Sequence, residues 1–138
     1  MMHQRKGMND GKTTPVQRTL KVLKERGVFH RKVEVTGKYP LPWGKTYDLL
    51  NIIDILVLAD DFLGIQVCGQ DFQSHVKKIT IDEVENTLAW LSAGGRIEIW
   101  SWRKLKKVRG GKATYWGAKV KTITLADIEP ETGQEPTN

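Results

Sequence analysis

Apolar and polar positions repeat with two different periods along the chain. Val16, Leu20 and Leu23 recur at helical spacing with Arg18, Lys21, Lys24 and Glu25 between them, which predicts an amphipathic helix. Thr14 and Pro15 supply its N-cap and first residue, and Gly27 its stop. From Val28 to Val35 the pattern changes to an imperfect alternation, a candidate strand. Gly37 to Lys45 contains Pro40, Pro42 and Gly44, which excludes regular structure and predicts a surface loop. Ile53 to Leu58 is an aliphatic run ended by Ala59, Asp60 and Asp61, and Gly64 to Cys68 reads as its antiparallel partner. Asp71 is placed to cap a short helix through Ile79. Asp82 with Glu85 forms a capping box for a second helix, which carries Val84, Leu88 and Leu91 and stops at Gly94-Gly95. Arg96 to Trp102 alternates strongly, and Gly110-Gly111 turns a hairpin whose return arm runs from about Ala113 to Ile123.

These elements predict one α/β domain over residues 14–128, a central mixed sheet flanked by helices with a C-terminal β-hairpin. Polar segments at 1–13 and 129–138 read as flexible tails. A chain of 138 residues is the size of a single domain. With 28% charged and 39% hydrophobic residues, the composition excludes a largely disordered chain. No apolar run is long enough for a bilayer span, and the first residues are too polar for a signal peptide, so a cytoplasmic location, in a bacterial or phage-infected cell, and no membrane partner are expected. One cysteine excludes an internal disulfide, and with three scattered histidines it gives no zinc-binding spacing.

The candidate chemistry lies on the strand pair. Side chains alternate faces along a strand, so Gln66 and Cys68 share one face and Ile65 and Val67 take the other. Asp54 joins Gln66 and Cys68 if the numbers of opposed residues sum to an even value. A carboxylate at a strand end, facing oxygen-bearing residues on the next strand, is an arrangement that holds a hard cation and a water. For Asp54 alone the plain alternative is a turn or cap residue. For Cys68 it is a small buried hydrophobe.

Charge adds a polyanionic partner to this picture. The net charge is +6, and no acidic residue falls between Ile99 and Ala126, where Arg103, Lys104, Lys106, Lys107, Arg109, Lys112, Lys119 and Lys121 lie. Trp100, Trp102, Tyr115 and Trp116 are interleaved with them, as in surfaces that hold phosphates and stack on bases. The expected nucleic-acid contacts are Arg103, Lys104, Lys106, Lys107, Arg109 and Lys112, together with His75 and Lys78 on the helix after the strand pair. The tryptophans themselves are expected to pack inward, because large aromatics in strands serve the core.

In these residues the chain resembles the PD-(D/E)XK nuclease superfamily, which includes restriction enzymes and archaeal-type Holliday-junction resolvases. The segments YDLLNIIDILVL, GIQVCGQDF, HVKKI and AWLSAGGRIEIWSWRK are similar, more closely, to a group of small phage and bacterial proteins of that kind. The resemblance spans roughly Glu34 to Ile123. It places Asp54 at the family aspartate, Gln66 at the Asp/Glu position and Cys68 at the lysine position. It implies a restriction-endonuclease-like core and a metal-dependent DNA endonuclease using Mg²⁺ or Mn²⁺. Branched DNA such as a Holliday junction is among its implied substrates, and a homodimer its implied assembly. The implied metal ligands are Asp54, Gln66 and the Val67 carbonyl. An acidic residue on the first helix would correspond to Gln17 or Glu25.

Two positions depart from the family pattern: Gln66 replaces an acid and Cys68 a base. Asp48 and Glu34 are placed to supply the missing negative charge, and Lys77, with Lys78 beside it, the missing positive one. Loss of both family residues also leaves two other readings open. One is a nucleic-acid-binding module with the nuclease fold and no chemistry. The other is an adaptor or inhibitor of host proteins that makes contact through the tryptophan-rich hairpin.

Overall fold

A computed structural model describes residues 13–36 and 46–128. The expected loop at 37–45 and the tails at 1–12 and 129–138 lie outside these described residues. The described elements form an α/β unit in which a five-stranded mixed sheet is covered by helices on both faces.

Helix α1 (Pro15–Arg26) starts as its sequence dictates. Thr14 and Gln17 complete a reciprocal capping box, Pro15 occupies the first turn, and Gly27 ends the helix in the left-handed conformation at φ 74°. The predicted strand from Val28 to Val35 divides into β1 (Phe29–Lys32) and the short β2 (Val35–Thr36), which pairs with β3 (Thr46–Tyr47). Then come β4 (Ile55–Leu58) and β5 (Phe62–Cys68), followed by helix α2 (Phe72–Lys77), which widens into a π-helical turn over Lys78–Asp82. Helix α3 (Val84–Ser92) leads through Gly94 at φ 99° into β6 (Arg96–Lys106) and β7 (Thr114–Ile123). A 3₁₀ turn at Leu125–Asp127 closes the described chain.

Strand order is β1-β4-β5-β6-β7, parallel only between β5 and β6, where α2 and α3 form the crossover. Alternation sorts the core into two layers. Ile55, Val57, Leu63, Ile65, Val67, Trp100 and Trp102 pack with Leu23 on the α1 face. Ile53, Cys68, Ile97, Ile99 and Ile123 pack with Phe72 and Ile79 on the other. Trp102 donates its indole N–H to the buried Thr19 hydroxyl at 2.9 Å, tying α1 to β6.

Three details of the helices differ from expectation. Asp82 and Glu85 make no capping box: α3 begins one residue later, Glu83 stands at its cap position without a side-chain bond, and Asp82 instead pairs with Lys77. The face of α3 turned inward carries Thr87, Trp90 and Leu91, while Leu88 is exposed. The buried Thr87 hydroxyl explains this, because it donates at 2.7 Å to the Ile79 carbonyl in the wide turn. Asp71 stands at the N-cap of α2 but caps nothing with its carboxylate. Among the described residues no helix is long and apolar enough to cross a membrane.

Candidate functional site

The β3–β4 connection brings two acids together. Between Asp48 and Asp54 the chain closes a tight turn in which Leu49 and Ile53 pair in both directions and Asn51 N–H donates to Asp48 O. Leu50 and Asn51 take left-handed backbone at φ 55° and 62°. That conformation is tolerated by Asn and strained for Leu, and such strain clusters at functional sites. The Leu50 carbonyl is held by the Asn86 amide at 3.0 Å.

The β4–β5 ladder runs in the even-sum register, Ile55 opposite Ile65. Asp54, one residue beyond, donates its N–H to the Ile65 carbonyl and accepts the Val67 N–H on Oδ2 at 2.9 Å. The main chain of Val67 therefore meets Asp54 through its N–H. Asp54 is 5% exposed. Burial drives its carboxyl up to about 7; the Val67 N–H opposes the rise, and the charges of Glu34 and Asp48, with a hydrogen bond from Asp48, add to it. Glu34 reaches this position because β1 ends at Lys32 and Val33 N–H bonds to the Asp54 carbonyl. Glu34, Asp48 and Asp54 thus form one acidic group at the end of the strand pair.

Gln66 sits on the same face of the sheet, 1% exposed. Its amide nitrogen donates to the Ile52 carbonyl at 2.9 Å, which turns Oε1 toward His75 Nδ1 at 2.9 Å and Lys78 Nζ at 3.5 Å. Lys78 Nζ also stands 3.5 Å from Asp48 Oδ2. His75 and Lys78 are three residues apart on one helical face and so meet the same partner. Lys77 lies on another face, exposed and paired with Asp82 at 3.0 Å. Of the two lysines, the structure brings Lys78 to the acids and not Lys77.

Cys68 is buried in the α2-side layer. Burial pushes its thiol up, against a lowering hydrogen bond with Ser101, so it is poorly suited to act as a thiolate nucleophile. Among the described residues, Cys68, Asp71 and His75 are grouped with their ligand-type atoms all within 4.8 Å of one another.

The basic residues of the hairpin divide between two faces. In the β6–β7 register Ser101 opposes Lys119 and Arg103 opposes Gly117, on the Cys68 side. Lys119 Nζ lies 4.6 Å from the Phe72 ring centroid, and Arg103 is close enough to Cys68 to bear on its charge. Lys104 and Lys106 alternate to the opposite, α1 face, where Lys104 and Arg18 flank the exposed Trp116. Lys107, Arg109 and Lys112 are exposed around the hairpin tip. Trp100 and Trp102 lie in the core as their strand alternation implies, while Tyr115 and Trp116 are exposed.

Two features of the site had weak signals in the sequence. The role of Lys78 follows from its spacing to His75 and to the buried Ile79. The 48–54 turn carries only Asn51 as a hint of left-handed backbone. Comparison with known proteins returns no match to a family model, a curated protein or a solved structure.

Proposed function

We propose that the protein is a divalent-metal-dependent DNA endonuclease built on a PD-(D/E)XK-type core, with Asp54, Asp48 and Glu34 as its acidic centre. The observation that carries this reading is the carboxyl of Asp54, buried and raised to about 7 beside two further carboxylates. Like charges gathered out of water are relieved by a shared proton or by a dication. The donor set is all oxygen and is partly reached by solvent at Asp48, 15% exposed, which fits Mg²⁺ or Mn²⁺. Such an ion supplies Lewis acidity to a phosphodiester and lowers the pKa of water.

The chain's own residues divide the remaining work. Lys78, held at 3.5 Å from Asp48, is the lysine nearest the acids in this reading, and its role is to steady negative charge growing on the phosphate. Gln66 contributes position rather than charge, since its oxygen faces His75 and Lys78. Arg103 and Lys119, on the site's face of the hairpin, are suited to hold the flanking DNA backbone. A two-fold related junction would call for a homodimer.

The test is incubation with four-way-junction, flap, single-stranded and linear DNA in Mg²⁺ or Mn²⁺. Cleavage is expected to vanish in Asp54→Asn, to fall about 10²–10³-fold in Lys78→Ala, and to persist in Lys77→Ala. Binding that falls steeply with salt, without cleavage of any substrate, would leave a nucleic-acid-binding module. The amide at Gln66 is the specific feature that favours that second reading.

A further inference from the structure

We propose that Cys68, Asp71 and His75 form a second metal site, for a late first-row transition ion of the Zn²⁺ class, separate from the acidic centre. The three residues follow one another as strand end, cap position and first helical turn of α2, so one short connection, Gly69-Gln70, sets their spacing. Their donor atoms lie within 4.8 Å of one another. A tetrahedral ion with bonds of these types needs separations of roughly 3.3–3.8 Å, about one ångström tighter. Cysteine and histidine counting alone misses the group, because its third ligand is a carboxylate.

The hydrogen bonding around His75 is that of a ligating imidazole. Gln66 Nε2 is committed to the Ile52 carbonyl, so the end of the amide that meets His75 is the oxygen, and Nδ1 must carry a hydrogen to bond it at 2.9 Å. A ring N–H fixed by a buried oxygen is the arrangement that orients a metal-bound histidine. Nε2 is then left 3.1 Å from Asp71 Oδ2. A bare ring nitrogen and an ionised carboxylate are both acceptors, so that contact calls for a cation between them or a second proton on the ring.

Asp71 gives an independent sign. A residue at an N-cap ordinarily spends its carboxylate on the helix, yet this one makes no cap bond and turns toward His75. Cys68 supplies a sulfur from beneath, at the buried end of β5. Binding would release the thiol proton to solvent and leave at least one position for water, because Asp71 and His75 stand at the surface. The site does not depend on the nuclease reading, and failure of either leaves the other standing.

Cobalt(II) is the probe, added to the full chain under reducing conditions and followed by absorption. Wild type is expected to bind one equivalent that gives a thiolate-to-cobalt charge-transfer band in the near ultraviolet, apart from any cobalt held by the carboxylates of the acidic centre. Cys68→Ser should lose that band. Asp71→Asn and His75→Gln should weaken binding at least tenfold, and Asp54→Asn should retain both band and affinity. Zn²⁺ should displace the cobalt. Asp71 is exposed and caps nothing, so its variant keeps the fold and serves as the control if a Cys68 variant proves unstable. Absence of the band at saturating cobalt, or equal affinity in Asp71→Asn and wild type, would overturn the proposal and leave an ordinary His75–Asp71 ion pair.

Discussion

Asp54 keeps its proton to an unusually high pH because ionising it places a charge in a dry site already faced by Glu34 and Asp48. The consequence for stability has a definite sign. The folded state holds a proton that the unfolded chain gives up near 3.8, so this group's contribution is present below that value and is lost as the pH rises to about 7. In Asp54→Asn the site cannot ionise, and Asn retains an acceptor for the Val67 N–H. Urea unfolding without divalent ions should therefore find Asp54→Asn more stable than wild type at pH 8, on the order of 2–4 kcal/mol. At pH 4 the two should be alike, and Mg²⁺ should narrow the gap at pH 8 by stabilising wild type alone. A variant less stable than wild type at pH 8 would mean that Asp54 is already neutralised by its surroundings. At this scale the sequence carried the site partially. Asp54, Asp48 and Glu34 were legible as acids near one strand end, whereas the choice of Lys78 over Lys77 depends on which side of α2 faces the sheet.

The elements explain why the acids meet. Alternation along β5 by itself puts Gln66 and Cys68 on one face, and the even-sum register between β4 and β5 is the one that lets Asp54 join them. Hidden from the sequence was the 48–54 turn, since left-handed Leu50 has no propensity signal. The split of the first strand at Val33 and Glu34 was hidden too. Gly64 is the packing counterpart of that turn: a Cβ there would stand 2.6 Å from Ile53 Cδ1 and 2.7 Å from Cγ1. Both atoms belong to a fully buried residue next to Asp54. Gly64→Ala should therefore lower stability by about 1–3 kcal/mol in urea unfolding, with an unchanged slope. It should also weaken Mg²⁺ binding by displacing Ile53 and the carboxylate beside it. Wild-type stability in this variant would show that Ile53 moves freely and that the turn is not held from below.

Over the whole molecule, net positive charge was legible from composition, but its geometry was not. Residues adjacent in sequence between 103 and 107 alternate between faces, so a basic run becomes two basic surfaces. DNA seated on the acidic centre should engage Arg103 and Lys119, while Lys104 stays with Arg18 and Trp116 on the α1 face. Fluorescence anisotropy across a salt series is expected to show Arg103→Ala and Lys119→Ala each reducing the slope of log K against log salt by about 1. Lys104→Ala should change it little, and the reverse order would place the DNA on the opposite face. The most direct measurement of the central claim is anomalous diffraction from crystals soaked in Mn²⁺. The account predicts a peak bonded to the carboxylates of Asp54 and at least one of Asp48 and Glu34. Crystals with saturating Mn²⁺ and no peak at Asp54 would contradict it.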